Sequence, residues 1–314
     1  MQKRLIAEEN HNKLELLFQP HHSNKEFEDY DMGRKKITII DLQSKKEHQE
    51  PISMLTAYDY TGALLVDRAE IDMILVGDSL GMVMMGLDST VPVTMDEILH
   101  HCRAVARGAK FAHLVGDLPF MSYQADKYDA VRNAGRLLKE GNMDSVKLEG
   151  GREMASTVRA IVDAGIPVMG HIGLTPQSIS KLGGFKAQGR TATAAARLVE
   201  DALALEEAGC YGVVLEAVPA PVAAAITERL HIPTIGIGAG PDCDGQVLVF
   251  HDILGLYDKI QPRFVKQYAR LQEPIIEAFT QFRDEVTNRH FPSKEHSFSM
   301  SAEELEAFHQ SLAE

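Results

Sequence analysis

The segments "ILVGDS" (residues 74–79) and "HLVGDL" (residues 113–118) are near copies set 39 positions apart. Each is a short apolar run that ends in Val-Gly-Asp. Runs of the same kind recur on both sides: "ISMLTAY", "SVKLEG", "IPVMGHI", "YGVVLEA", "IPTIGIGAG" and, as an eighth, "GQVLVFHD". They are rich in Val, Ile, Leu and Met, as expected for strands buried on both faces. Longer amphipathic stretches separate them, among them "TGALLVDRAE", "TMDEILHHCRAVARGA", "KYDAVRNAGRLLKEG", "REMASTVRAIVDAG" and "TAAARLVEDALALEEAG". Thr94 with Glu97 three residues on is a capping-box pattern, and Gly108, Gly141, Gly165 and Gly209 stand where helices often stop. Eight β-then-α units predict a parallel sheet closed into a (β/α)8 barrel. The alternative is an open doubly wound sheet, weakened because no GxGxxG follows the first run. The repeated segment then marks two neighbouring strands of one barrel rather than a duplicated domain.

The barrel domain is expected to span residues 32–314, closing with C-terminal helices, of which "SAEELEAFHQSL" is a surface helix capped by Ser301. Residues 1–31 are polar and aperiodic and are expected to form a poorly ordered extension without the apolar stretch of a signal peptide. With 314 residues the chain is long enough for a sizeable core, and its net charge of -13 disfavours nucleic acid and anionic membranes as partners. Cys102, Cys210 and Cys243 are scattered and form no CxxC, which suits a reducing compartment and a cytoplasmic location. No run approaches the length of a membrane span.

Active sites of such barrels sit at the C-terminal ends of the strands. The runs end in Tyr58 and Asp59, Asp78 and Ser79, Asp117, Lys147 and Glu149, His171, and Glu216, followed by the glycines of "GIGAG". An Asp after a strand commonly caps the next helix. Two on neighbouring strands, which lie ~4.8 Å apart, repel unless they share a proton or a cation. Oxygen donors with no nearby Cys favour Mg2+ over zinc, with Glu149 as a third oxygen, directly or through water. Lys147 and Glu149, two apart in a strand, share one face. They form either a structural ion pair or a grip on a substrate oxygen beside a metal. Glu216, behind an apolar run, is a candidate base or a cap for the segment after Pro219. His171 is open between ligand, donor and core histidine, and "GIGAG" between a phosphate cradle and close packing.

Together these residues sit in a chain that resembles ketopantoate hydroxymethyltransferases from about Ile37 to Met300. The matching stretches include "LTAYDY", "ILVGDSLGMV", "DLPFMSY", "VKLEGG", "GHIGLTPQS", "GGFKAQGR", "IGIGAG", "DGQVLVFHD" and "FPSKEHSF". Gly116 and Ala187 depart from the family's usual larger residues without removing a functional group. The resemblance implies a (β/α)8 barrel of the phosphoenolpyruvate/pyruvate type, Mg2+, and a homo-oligomer, typically a decamer. It implies transfer of a one-carbon unit from 5,10-methylenetetrahydrofolate to 3-methyl-2-oxobutanoate, giving 2-dehydropantoate on the route to pantothenate and coenzyme A. By the same resemblance Asp78 and Asp117 bind metal and substrate, and Glu149 binds metal. Lys147 and Ser79 hold the keto acid, and Glu216 is the general base. Tyr58 and His171 are possible accessories. Two other readings stay open: a lyase of the isocitrate-lyase kind, although no catalytic-cysteine motif is present, and a metabolite-binding barrel without catalysis.

Overall fold

A computed structural model describes residues 33–182, 184, 186–259 and 262–313; the extension expected over residues 1–31 lies outside them. The two near copies are neighbours: β2 (Met73–Val76) and β3 (His113–Asp117) pair in parallel with Ile74 opposite Leu114 and Val76 opposite Gly116. Every residue of both strands is buried, as the unbroken apolar runs require. The pattern continues through β4 (Ser145–Glu149), β5 (Val168–Gly173), β6 (Gly212–Glu216), β7 (Thr234–Ile237) and β8 (Gly245–Leu248). Strand β8 pairs with β1 (Ile52–Thr56), so the sheet closes into an eight-stranded parallel barrel and has no open edge.

Helices follow the strands on the outside. They include α1 (Ile39–Glu47) before β1, α2 (Tyr60–Arg68), α3 (Leu80–Val83), α4 (Met95–Gly108), α5 (Lys127–Lys139), α6 (Ala155–Asp163), α7 (Ile179–Leu182), α8 (Ala192–Glu207) and α9 (Ala220–Arg229). Thr94 forms the expected capping box with Glu97. Gly165 and Gly209 take positive φ behind their helices, as helix stops do. Gly108 is the last residue of α4, as expected, and it is also a close-approach glycine: a Cβ there would run into the Tyr60 carbonyl.

The barrel interior is layered. Met54, Met73, Leu75, Val115, Met169, Val214, Ile235 and Val247 fill its middle, and Leu42 of α1 packs against them. Each such side chain contributes roughly 1.5–3 kcal/mol on burial. At the N-terminal strand ends a polar chain links His113 Nε2 to Ser145 Oγ at 2.9 Å and Ser145 Oγ to the Tyr211 hydroxyl at 2.8 Å. Burial pushes His113 down to about 4, so it stays neutral there. Asp78, Asp117, Lys147, Glu149, His171 and Glu216 occupy the opposite end, while Asp72, Asp144 and Asp244 pair with Lys45, Lys36 and Lys46 at this one.

Two compact units make up the chain: one runs to Val249 and holds the barrel, the other runs from Phe250 to Glu314. The second unit contains α10 (Phe250–Ile253), α11 (Gln272–Thr287) and α12 (Ala302–Ser311), the last capped by Ser301. It carries Ile276, Phe279, Phe282, Phe298 and Leu312 on its surface. Among the described residues no helix is long and apolar enough to cross a membrane.

Candidate active site

Asp78 lies two residues past β2, whose partner β3 ends at Asp117. The backbone N–H of Asp78 points at Asp117 Oδ2, 3.3 Å away. Neither side chain caps a helix. Asp59 does, accepting from Gly62 N–H at 2.6 Å at the start of α2. Asp117 is opposite Lys147 in the β3–β4 register, and Lys147 Nζ is 2.8 Å from Asp117 Oδ1. Glu149 is opposite His171, and Gly173 is opposite Glu216. The stagger of the barrel thus brings all six titratable residues to one mouth.

His171 sits between the two glutamates. Its Nδ1 is 3.5 Å from Glu149 Oε1 and 3.4 Å from Lys147 Nζ, and its Nε2 is 3.2 Å from Glu216 Oε2. The Nε2–Glu216 approach is an ion-pair contact of the protonated ring rather than a hydrogen bond. Glu216 is brought this close because β5 ends in Gly173 at φ +94, where any Cβ would strike the Glu216 carbonyl. Leu174 N–H donates to that carbonyl at 2.8 Å. Ser79 Oγ is 2.8 Å from the Tyr58 hydroxyl, and the Tyr58 carbonyl is 2.6 Å from His101 Nδ1. Tyr58 therefore braces Ser79 from the loop behind β1.

Charge is concentrated and buried here. Burial raises Asp78 to about 8, and the neighbouring Asp117 and Glu149 add to the rise. Burial also raises Asp117, with Lys147 pulling the other way. For Lys147, burial favours the neutral amine, but Asp117, Glu149 and Asp78 outweigh it and hold the ammonium above its usual range. Burial and Lys147 both push His171 down, yet Glu149 and Glu216 carry it up to about 9. Four acids face two cationic side chains, so full ionisation would leave two excess negative charges at the mouth; the proton that Asp78 keeps below about 8 removes one of them.

Two residues of the site escape a reading based on titratable groups. Gln177 Nε2 donates to Asp78 Oδ2 at 2.9 Å and to the Leu118 carbonyl at 3.0 Å, while its backbone N–H donates to Glu149 Oε2 at 3.0 Å. The Tyr123 hydroxyl accepts from Glu149 N–H at 3.1 Å and lies 2.8 Å from Gln177 Oε1. Both lie in stretches already quoted, "GHIGLTPQS" and "DLPFMSY", shortly after His171 and Asp117 but far in sequence from the acids they hold. The glycines of "GIGAG" serve packing: a Cβ on Gly240 would strike Ala220 at the start of α9.

The family model for ketopantoate hydroxymethyltransferase matches residues 36–294. The 3-methyl-2-oxobutanoate hydroxymethyltransferase of Moorella thermoacetica is 60% identical over 265 residues, 84% of this chain and 98% of the relative. That of Heliobacterium modesticaldum is 58% identical over 269 residues, 86% of this chain and 98% of the relative. Among solved structures, a phosphonopyruvate hydrolase complex with oxalate and Mg2+ has a TM-score of 0.57 at 13% identity, covering 88% of this chain and 97% of its own. A 2,3-dimethylmalate lyase, described as a PEP mutase/isocitrate lyase superfamily member, has a TM-score of 0.52 at 13% identity, covering 88% and 94%. At such identity these two speak to the barrel alone. The match across the whole barrel, at well over half identity, makes this chain a member of the ketopantoate hydroxymethyltransferase family.

Proposed function

We propose that the protein catalyses Mg2+-dependent hydroxymethyl transfer from 5,10-methylenetetrahydrofolate to 3-methyl-2-oxobutanoate. In the balanced reaction C3 of the keto acid loses a proton and bonds to the one-carbon unit. Water supplies the hydroxyl oxygen, and tetrahydrofolate leaves with 2-dehydropantoate as product. The carrying observation is the ring of buried charge at the mouth, with Lys147 and three acids on one side and Glu216 across from them through His171.

The donor set suits Mg2+. Among the described residues no three His, Cys, Asp or Glu side chains enclose a ready-made metal cluster. Mg2+ is commonly held by one or two carboxylates, with substrate oxygens and water completing the octahedron. Asp78 and Asp117 would be those carboxylates, Glu149 would act directly or through water, and a divalent cation would take the place of the proton that burial keeps on Asp78. When bound, the cation supplies Lewis-acid stabilisation to the oxygens of a 2-oxo acid. Lys147 adds a buried cation for the substrate carboxylate or keto oxygen. Ser79, fixed by Tyr58, orients the keto acid, and Glu216 takes the proton from C3.

Purified protein given both substrates and Mg2+ is expected to yield 2-dehydropantoate by mass spectrometry, and chelation is expected to stop turnover until Mg2+ is returned. Asp78→Ala and Asp117→Ala are expected to weaken Mg2+ binding in calorimetry. Absence of product with Mg2+ present would remove the activity; full turnover of metal-stripped protein would remove the metal.

The reading extends to assembly as a homo-oligomer, a decamer in the family pattern. It is supported by the large apolar side chains that the second unit carries on its surface, Phe279, Phe282 and Phe298 among them. Light scattering is expected to give a mass several times that of one chain. A monomer mass at micromolar concentration would contradict it.

A further inference from the structure

We propose that Gln177 is a positioning residue that sets which divalent cations the site accepts, by holding Asp78 and Glu149 through one oxygen each. The inference rests on the reading that these acids face a cation.

Gln177 is 4% exposed and is the neutral side chain among charged ones. It follows Pro176 in a single 3-10 turn, Pro176–Ser178, just beyond β5. Its amide orientation is settled by its neighbours. Nε2 faces two acceptors, Asp78 Oδ2 and the Leu118 carbonyl. Oε1 faces Gln124 Nε2 at 3.2 Å and the Tyr123 hydroxyl at 2.8 Å, whose one proton also lies within reach of the Glu149 carbonyl at 2.9 Å. Both N–H groups of the amide and at least one of its lone pairs are thus engaged. A buried amide held from both ends keeps one rotamer. The backbone N–H of the same residue holds Glu149 Oε2. One residue thus ties the acid behind β2 to the acid at the end of β4, on either side of Asp117.

The consequence is chemical. A carboxylate oxygen that already accepts a hydrogen bond in the plane of its partner is a poorer second ligand. Asp78 and Glu149, each loaded at one oxygen, favour one-oxygen contacts over a symmetric two-oxygen grip. Ca2+ takes six to eight oxygens and uses two-oxygen carboxylates freely; Mg2+ demands a near-ideal octahedron of single contacts. Gln177 therefore biases the site toward the small cation. A neutral amide does this without repelling the cation, as Lys would, and without adding another acid.

The test is calorimetric titration of the full chain with Mg2+ and, separately, Ca2+, before and after Gln177→Met. Met has similar length and reach but no side-chain hydrogen bonds, so it frees Asp78 and leaves the backbone N–H on Glu149. We expect Mg2+ to bind about 10–100-fold more weakly, the range seen when partners of metal ligands are removed, with Ca2+ less affected, so that the Mg2+ preference shrinks. Gln177→Glu, which keeps an acceptor for Tyr123 but loses the donor to Asp78, is the second variant, and a reduced preference is expected there too. A purely structural role would lower the melting temperature and leave the preference unchanged, and that result in either folded variant overturns the proposal alone. Wild-type protein that binds neither cation overturns both the proposal and the reading beneath it.

Discussion

Lys147→Met is expected to lower the urea midpoint of the protein and to abolish turnover. Lys147 is 3% exposed, and its ammonium is 2.8 Å from Asp117 Oδ1. Removing one partner of such a buried pair costs ~3–5 kcal/mol, because the other charge is left without compensation. Here the remaining set is Asp117, Asp78 and Glu149 together. Burial and those neighbours already raise Asp78 to about 8. An acid with a raised pKa in the fold takes up a proton more readily than in the unfolded chain. Its charge penalty is absent at low pH and grows as pH rises toward 8. The loss in Lys147→Met should follow that sign, largest near pH 8 and small near pH 4, in EDTA so that no cation intervenes. Adding Asp117→Asn returns the charge count to that of the wild type. The double variant is expected to regain most of the stability and none of the turnover, since the proposed cationic partner of the substrate and one proposed metal carboxylate are both missing. A single variant as stable as wild type at pH 8 would show that the ion pair contributes nothing. Turnover restored in the double variant would reduce Lys147 to charge balance.

The barrel was legible because its physics is local and periodic. Strands β2 and β3 are wholly buried, so "MILV" and "HLVGD" stand out from the amphipathic helices around them. The acids at the strand ends were legible because a charge behind an apolar run is conspicuous. What the runs did not reveal was how partners distant in sequence use them. Gln177 reaches Asp78 across 99 positions, and Tyr123 reaches the Glu149 backbone across 26. Neither residue titrates near neutrality, so neither drew notice as chemistry. Gly108 ends its helix as its sequence context suggests, and the Tyr60 carbonyl pressed against it is a second reason that the sequence does not show. The helix beginning at "REMAST" starts as a 3-10 turn over Arg152–Met154 and becomes α-helical only at Ala155. Gly150, at φ +127, turns the chain away from β4 just ahead of it.

Glu216→Gln is expected to slow hydrogen–deuterium exchange at C3 of 3-methyl-2-oxobutanoate, in the absence of folate, by ~10²–10⁴-fold, the usual contribution of a positioned base. Exchange isolates the first proton transfer from everything the one-carbon donor does. The geometry gives Glu216 a defined orientation: Oε2 faces His171 Nε2 at 3.2 Å, an ion-pair distance, and Oε1 is the oxygen expected to take the proton. Gln has the same shape and can still face His171, but its amide cannot take a proton at neutral pH. The variant should therefore bind the keto acid with Mg2+ as the wild type does, read by calorimetry, while its exchange signal in proton NMR persists for hours. Glu149, the other glutamate on His171, is held at Oε2 by Gln177 N–H and stands among Asp78, Asp117 and Lys147. It is poorly placed to substitute, so little residual exchange should come from it. Wild-type exchange in Glu216→Gln, with substrate bound, would transfer the base to another group at the mouth.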